Sequence, residues 1–145
     1  MKQIEYVSFK KQTYAIILRS KYKNEGIKFF TPNDFSQQLG YMKRKKGYVI
    51  LPHIHKSLKR KVLDTQEVLF VKSGKIRVDF YDKHKNYLES RVLSEGDFIL
   101  LAYGAHGFEM LEPTEMIEIK QGPYADEMDK TRFDTIDKVK IKIKN

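Results

Sequence analysis

The chain contains no cysteine among its 145 residues. Disulfide bonds, thiolate metal sites and a cysteine nucleophile are therefore excluded, and so is a secreted fold that depends on disulfides. No apolar run approaches the length of a membrane span, and the opening Met-Lys-Gln-Ile-Glu-Tyr lacks the apolar stretch of a signal peptide. We therefore expect a soluble cytoplasmic protein that does not enter a membrane.

Internal repeats and low-complexity linkers are also absent, and we predict a single domain over residues 1–145. A hydrophobic share of 41%, with nine Tyr and nine Phe, is enough for a packed core. The net charge of +9 has two interpretations: lysines that only solubilise the surface, or an anionic partner. Because no nucleic-acid-binding motif is present, we favour solubilisation, with a phosphate-bearing small molecule as the main alternative.

Short segments in which apolar and polar residues alternate predict an all-β fold. Ile76, Val78 and Phe80, for example, share one face of a strand over 75–81. The residues at 72–74 predict a tight turn, and hence a hairpin between the strands on either side. The predicted strands cover residues 13–18, 47–55, 65–71, 75–81, 87–92, 98–101, 108–111 and 115–121.

Two further segments have weaker patterns. Residues 33–39, which follow Thr31-Pro32, predict one short helix. The tail at 138–144 alternates lysine with apolar residues, so we expect either a lysine-protected edge strand or a frayed terminus.

Three of the four histidines form a pattern with one glutamate: His53-Ile54-His55, Glu67 and His106. On a strand, residues two apart lie on the same face, so His53 and His55 would point the same way, as half of a metal site does. Glu67 and His106 would complete such a site. The alternative is that these histidines are ordinary strand residues that bond to carbonyl groups. The fourth histidine, His84, is expected to be a solvated loop residue.

The spacing of these residues resembles the first motif of the cupin superfamily, G-x5-H-x-H followed by E-x6-G. Five residues separate Gly47 from His53, and six separate Glu67 from Gly74. The chain departs from the family in the eleven residues 56–66, which stand between the two halves where the family has three or four.

A second cupin motif, which begins G-x5-P-x-G and ends in histidine, is similar to the stretch from Gly96 to Gly104. Ala102 stands at the proline position, and His106 follows one residue sooner than in the family. The sequence of residues 118–124 is also similar to that of small cupins associated with bacterial polysaccharide and sugar-nucleotide synthesis.

The resemblance covers about residues 47–120 and leaves 125–145 as a tail. It implies a single-domain jelly-roll β-barrel that holds one divalent metal through His53, His55, Glu67 and His106. Three neutral imidazoles and one carboxylate suit Fe, Ni, Mn, Zn or Cu. Octahedral geometry leaves two positions open, as in a reactive site rather than a structural one.

The expected function is that of a metal-binding cupin that acts on a carbohydrate or nucleotide-linked sugar, with isomerase or epimerase chemistry next to a carbonyl. A non-enzymatic binding module and an iron-dependent oxygenase are the alternatives, so enzyme activity is left open. Arg60 and Lys61 are candidates to bind an anionic group of the ligand. The alternative is that they belong to a run of charged residues that is only solvated. We expect Glu118 and Lys120, which share one face of a late strand, to form an exposed salt bridge; the alternative is a buried pair that transfers protons. The edge strands are expected to support a homodimer.

Overall fold

The chain folds almost entirely into β-structure. A computed structural model describes residues 2–145, apart from the side chains of Asp126 and Glu127. Two short 3-10 helices, Asp126–Asp129 and Lys138–Lys140, follow the last strand. The ten strands are β1 (Ile4–Phe9), β2 (Gln12–Leu18), β3 (Gly26–Phe29), β4 (Gly40–Lys43), β5 (Glu67–Ser73), β6 (Lys75–Tyr81), β7 (Tyr87–Ser94), β8 (Phe98–Leu101), β9 (Ala105–Met110) and β10 (Glu115–Lys120).

The strands form three antiparallel sheets. The largest has the order β1-β2-β8-β5-β10, the second has the order β7-β6-β9, and β3 pairs with β4 in a two-stranded sheet. Within the described residues, none of the three closes into a barrel. No helix in this part of the chain has the length and apolar character needed to cross a bilayer.

The main core lies between the two larger sheets. Ile76, Val78 and Phe80 of β6 are buried there, as the sequence pattern predicts, and they pack in one cluster with Leu69 and Ile99 of the five-stranded sheet. Burial of each such side chain contributes about 1.5–3 kcal/mol relative to an exposed position. The two sheets are therefore fixed relative to each other by apolar packing.

A second apolar cluster covers the other face of the five-stranded sheet. Ile16 and Leu100 of that sheet are completely buried in it, beneath Phe30, Phe35 and Leu39. The sheet is thus apolar on both faces along β2 and β8, which explains the continuous burial of the second half of β2.

The predicted helix at 33–39 is wrong, because this segment forms irregular loop structure. The side-chain amide of Gln38 donates hydrogen bonds to the carbonyl oxygens of Pro32 and Phe35, both at 2.9 Å. Such side-chain bonds compete with the helical backbone ladder. Packing of Phe35 and Leu39 on the second cluster then holds the loop in place.

The predicted hairpin around 72–74 is also wrong, because β5 and β6 belong to different sheets. Gly74 has a φ of +84°, and a Cβ there would lie 2.2 Å from the carbonyl oxygen of Pro113. The chain therefore bends sharply against the β9–β10 turn and crosses from one sheet to the other. Only glycine satisfies both requirements at this position.

The predicted strand at 47–55 is wrong, since no strand occurs between β4 and β5. Among the described residues, no backbone–backbone hydrogen bond involves residues 49–65. Pro52 removes one donor from the middle of the segment, and a strand needs a neighbour to satisfy its backbone groups. The segment is apolar from Tyr48 to Pro52 and alternates only at His53-Ile54-His55, and no strand among the described residues pairs with it.

The tail lies along the outer edge of β7. The Ser90 amide donates to the carbonyl of Lys142, and the Lys144 amide donates to the carbonyl of Ser90, both at 2.9 Å. Ser90 and Ile143 form a single parallel bridge. Of the predicted edge strand at 138–144, only Ile143 pairs with a neighbouring strand. The residues before it form a 3-10 turn.

Candidate functional site

Glu67 and His106 meet between the two larger sheets. Glu67 begins β5, in the same inward-facing row as the buried Leu69 and Val71. His106 lies in β9 directly opposite the buried Phe80 of β6. Glu67 Oε2 and His106 Nε2 are 3.0 Å apart. Two of the four predicted metal ligands are thus brought together from distant parts of the sequence.

The environment of this pair favours an ionised carboxylate. The hydrogen bond from His106 holds the pKa of Glu67 below its ordinary value; burial opposes this shift, and the charges of Lys120 and Lys130 add to it. Because an ionised carboxylate can only accept hydrogen bonds, His106 Nε2 carries the proton of this contact. The side chains of Glu67 and His106 are 17% and 27% exposed, so a ligand can reach both.

The pair forms part of the wall of a cavity of about 690 Å³. Residues 63–65 and 104–108 contribute two sides, and residues 129–135 of the tail contribute a third. Its lining combines the aromatic rings Tyr81, Tyr103, Phe108 and Phe133 with the carboxylates Asp64, Glu67, Glu118, Asp129 and Asp134 and the cations Lys130 and Arg132.

Specific contacts hold the tail in this wall. The Ile136 amide donates a 3.0 Å hydrogen bond to the Tyr81 hydroxyl, and the ring of Phe133 meets the ring of Tyr81 edge-on at 5.1 Å. Thr65 donates to Asp129 at 3.0 Å. Sequence reasoning treated 125–145 only as a tail and missed this role. The available signal was Phe133, a large aromatic residue in a polar segment.

Gly104 sets the start of β9 and thereby the position of His106. Its φ is +74°, and a Cβ there would lie 2.3 Å from Tyr14 Cε1 and 2.6 Å from the carbonyl oxygen of Tyr81. Neither the backbone conformation nor the space accommodates a side chain. The backbone conformation and close packing at this position therefore explain why glycine ends the stretch from Gly96 to Gly104.

His53 and His55 lie in the strand-free segment and are exposed. Their ring centroids are 5.1 Å apart, and His53 Nδ1 is 3.0 Å from the Leu51 carbonyl oxygen. Neither residue lines the cavity. Among the described residues, no group of three or more His, Cys, Asp or Glu side chains is placed to hold one ion. As arranged, the four residues do not fit a single metal, and metal binding stays a prediction.

The predicted anion-binding residues are also outside the main cavity. Arg60 is exposed, while Lys61 lines a smaller neighbouring pocket of about 220 Å³ together with Asp34 and Asp64. Glu118 and Lys120 form the expected salt bridge at 3.5 Å. His84 lies in an exposed loop, as predicted.

Comparison with known proteins identifies no relative: no protein-family model, no curated protein and no solved structure matches the chain. The geometry of the site is therefore the basis for functional inference.

Proposed function

We propose that the protein is a cupin-type jelly roll that binds a small polar molecule of the carbohydrate or sugar-nucleotide class. The observation that carries this proposal is the Glu67–His106 pair, which is partly buried in the wall of a cavity of about 690 Å³. Small-molecule sites have volumes of roughly 300–1,000 Å³ and a few convergent polar groups. This cavity matches that description.

The lining supports a carbohydrate as the ligand class. Aromatic rings such as Tyr103 and Phe108 provide flat apolar surfaces for the C–H faces of a sugar ring. Carboxylates such as Glu67 and Glu118 accept hydrogen bonds from sugar hydroxyls. Lys130 and Arg132 provide positive charge for a phosphate group at the tail side of the same cavity.

The same pair is suited to proton transfer. Glu67 accepts a hydrogen bond from His106 Nε2 and thereby orients the imidazole, so Nδ1 is the ring atom left to exchange a proton with a ligand. An oriented imidazole of this kind can act as general base and acid next to a carbonyl, as isomerisation or epimerisation requires. A non-enzymatic binding module would use the same contacts without turnover, and an iron-dependent oxygenase would require the predicted metal.

Metal binding is tested separately, because the structure brings together only two of the predicted ligands. Elemental mass spectrometry on protein purified without a His tag gives the metal content. Near-stoichiometric Fe, Ni, Mn, Zn or Cu that both His53→Ala and Glu67→Ala lose would support the four-ligand set. No retained metal, even after reloading, would exclude it.

The ligand proposal is tested by calorimetry with a panel of monosaccharides, sugar phosphates and nucleotide-linked sugars. We expect at least one to bind, and Glu67→Gln and His106→Ala to weaken it at least about tenfold, since each removes a partner of a charge-assisted hydrogen bond. His84→Ala is the matched control, because His84 lies in an exposed loop outside the cavity. Binding that neither cavity variant alters would contradict the proposal. Turnover of the bound ligand would indicate an enzyme, whereas binding without turnover would indicate a non-enzymatic binding module.

A further inference from the structure

Residues 44–63, here called the arm, form an exposed extension between β4 and β5. Their only backbone–backbone hydrogen bond among the described residues joins Tyr48 to Lys45, within the arm itself. Side chains that are normally buried are exposed along its length, including Leu51 at 76%, Ile54 at 93% and Leu63 at 78%. Over 49–60 the arm therefore presents apolar side chains to solvent and, among the described residues, makes no backbone–backbone hydrogen bond.

The sandwich has one open side that matches the needs of the arm. β9 and β10 are the end strands of their sheets, so each has one edge without a strand partner. Both edges lie on the side of the sandwich where Glu67 of β5, the neighbour of β10, contacts His106 of β9. Met110, at the end of β9, is 48% exposed. Open edges of this kind are templates for an added strand.

Charge is complementary between the arm and the open side. The arm contains seven cations, Arg44, Lys45, Lys46, Lys56, Lys59, Arg60 and Lys61, and no carboxylate. The cavity on the open side is lined by the five carboxylates Asp64, Glu67, Glu118, Asp129 and Asp134 and by the two cations Lys130 and Arg132. Asp64 and Glu118 already pair with Lys83 and Lys120 of the same chain, so the complementarity rests on Glu67, Asp129 and Asp134. A basic, apolar segment is thus the kind of partner that this side attracts.

The exposed apolar area of the arm is large enough for a stable interface. Eight large apolar residues of the arm are between 47% and 93% exposed. Together they present roughly 1,000 Å², more than the roughly 300–600 Å² of the largest patch on a typical monomer. Two arms exchanged in a symmetric pair would bury at most roughly 2,000 Å² from the arms, and about half of that if one face of each arm is covered. The surfaces beneath the arms add a similar area, so the total is comparable with the roughly 1,600 Å² of a standard interface.

We propose that the protein forms a symmetric dimer in which the arm of each copy docks on the open side of the other, along β9 and β10. The apolar residues of 47–55 then have a partner edge, which the described part of their own chain does not provide. One consequence, which rests on the proposed function, is that His53 and His55 of one copy approach Glu67 and His106 of the other. The docking itself does not depend on that function.

The first test is the oligomeric state. Sedimentation equilibrium is expected to show a dimer, and Val49→Ser/Leu51→Ser is expected to raise its dissociation constant at least about tenfold. Both side chains are exposed in one chain and, in a strand, share the face of His53 and His55, which would be buried only in the dimer. Val139→Ser is the matched control, since Val139 is 86% exposed but lies outside the arm. A monomer at all concentrations, or a dimer that the arm variant does not weaken, would overturn the proposal.

The second test distinguishes exchange from docking within one chain. The chain has no native cysteine, so Leu51→Cys and Met110→Cys introduce unique cross-linking positions. Leu51→Cys protein of natural isotopic composition is mixed with ¹⁵N-labelled Met110→Cys protein and treated with a short bis-maleimide. A 51–110 cross-link in this mixture joins two chains and supports exchange. Absence of that link, together with an intrachain link in the double variant, would overturn it, whether or not any sugar or metal binds.

Discussion

Substitution of Gly104 by alanine tests how the fold positions His106. The φ of +74° at Gly104 places a Cβ in a conformation that costs an L-residue roughly 1–2 kcal/mol. The Cβ would also overlap Tyr14 Cε1 at 2.3 Å and the Tyr81 carbonyl oxygen at 2.6 Å. Relief of such overlap in a packed core costs about 1–3 kcal/mol. We therefore expect Gly104→Ala to lower the free energy of unfolding by about 2–5 kcal/mol.

Gly47→Ala is the matched control for this measurement. Gly47 also has a positive φ, of +85°, but a Cβ there would meet no atom within 4 Å. Only the conformational cost of roughly 1–2 kcal/mol applies, and the exposed arm can relax to reduce it. Urea denaturation of both variants gives the comparison. Equal destabilisation by the two substitutions would refute the role assigned to the contacts with Tyr14 and Tyr81.

Three further predictions concern the framework around the site. Burial opposes ionisation of Glu89, but hydrogen bonds from Lys144 and Arg91 hold its pKa below the ordinary value of 4.5. The contribution of Glu89 to stability should therefore be complete above pH 4.5 and lost as the pH falls through the lowered pKa. Urea denaturation at several pH values should show that the free energy of unfolding falls less at acid pH in Glu89→Gln than in the unchanged protein. Ile99→Ala, in the centre of the core, should lower the free energy of unfolding by about 2–5 kcal/mol, whereas Ile119→Ala, at 59% exposure, should change it little, as measured by thermal unfolding; similar losses would contradict the assigned core. Tyr81→Phe removes the acceptor of the Ile136 amide and should speed hydrogen exchange of that amide, and an unchanged rate would argue against this anchor of the tail.

Local patterns predicted those strands in which the apolar residues fall on one face. The alternation at Ile76, Val78 and Phe80 identified the core face of β6, because that face is buried in the main core. The pairing of strands was harder to predict from the sequence, because Gly74 indicates a bend but does not specify whether the chain returns to the same sheet. That choice depends on contacts with Pro113, nearly forty residues away.

The candidate site was predicted to a similar extent. Glu67 and His106 were identified from motif spacing, and they meet because each begins or adjoins an inward-facing row of its strand. His53 and His55 alternate correctly for a strand, but the segment has no partner in its own chain, so periodicity alone did not predict its structure. The contribution of the tail through Phe133 depends on a long-range contact with Tyr81, which no local pattern reports.

The central claim is that the cavity beside Glu67 and His106 binds the ligand. Its most direct test is an NMR titration of ¹⁵N-labelled protein with the tightest-binding sugar or sugar nucleotide of the calorimetric panel. We predict that the largest amide shifts fall at 104–108 and 129–135, which form two walls of the cavity, and that Glu67→Gln reduces them. Shifts confined to the β3–β4 hairpin or to the outer face of β10, with none in those two segments, would contradict the account.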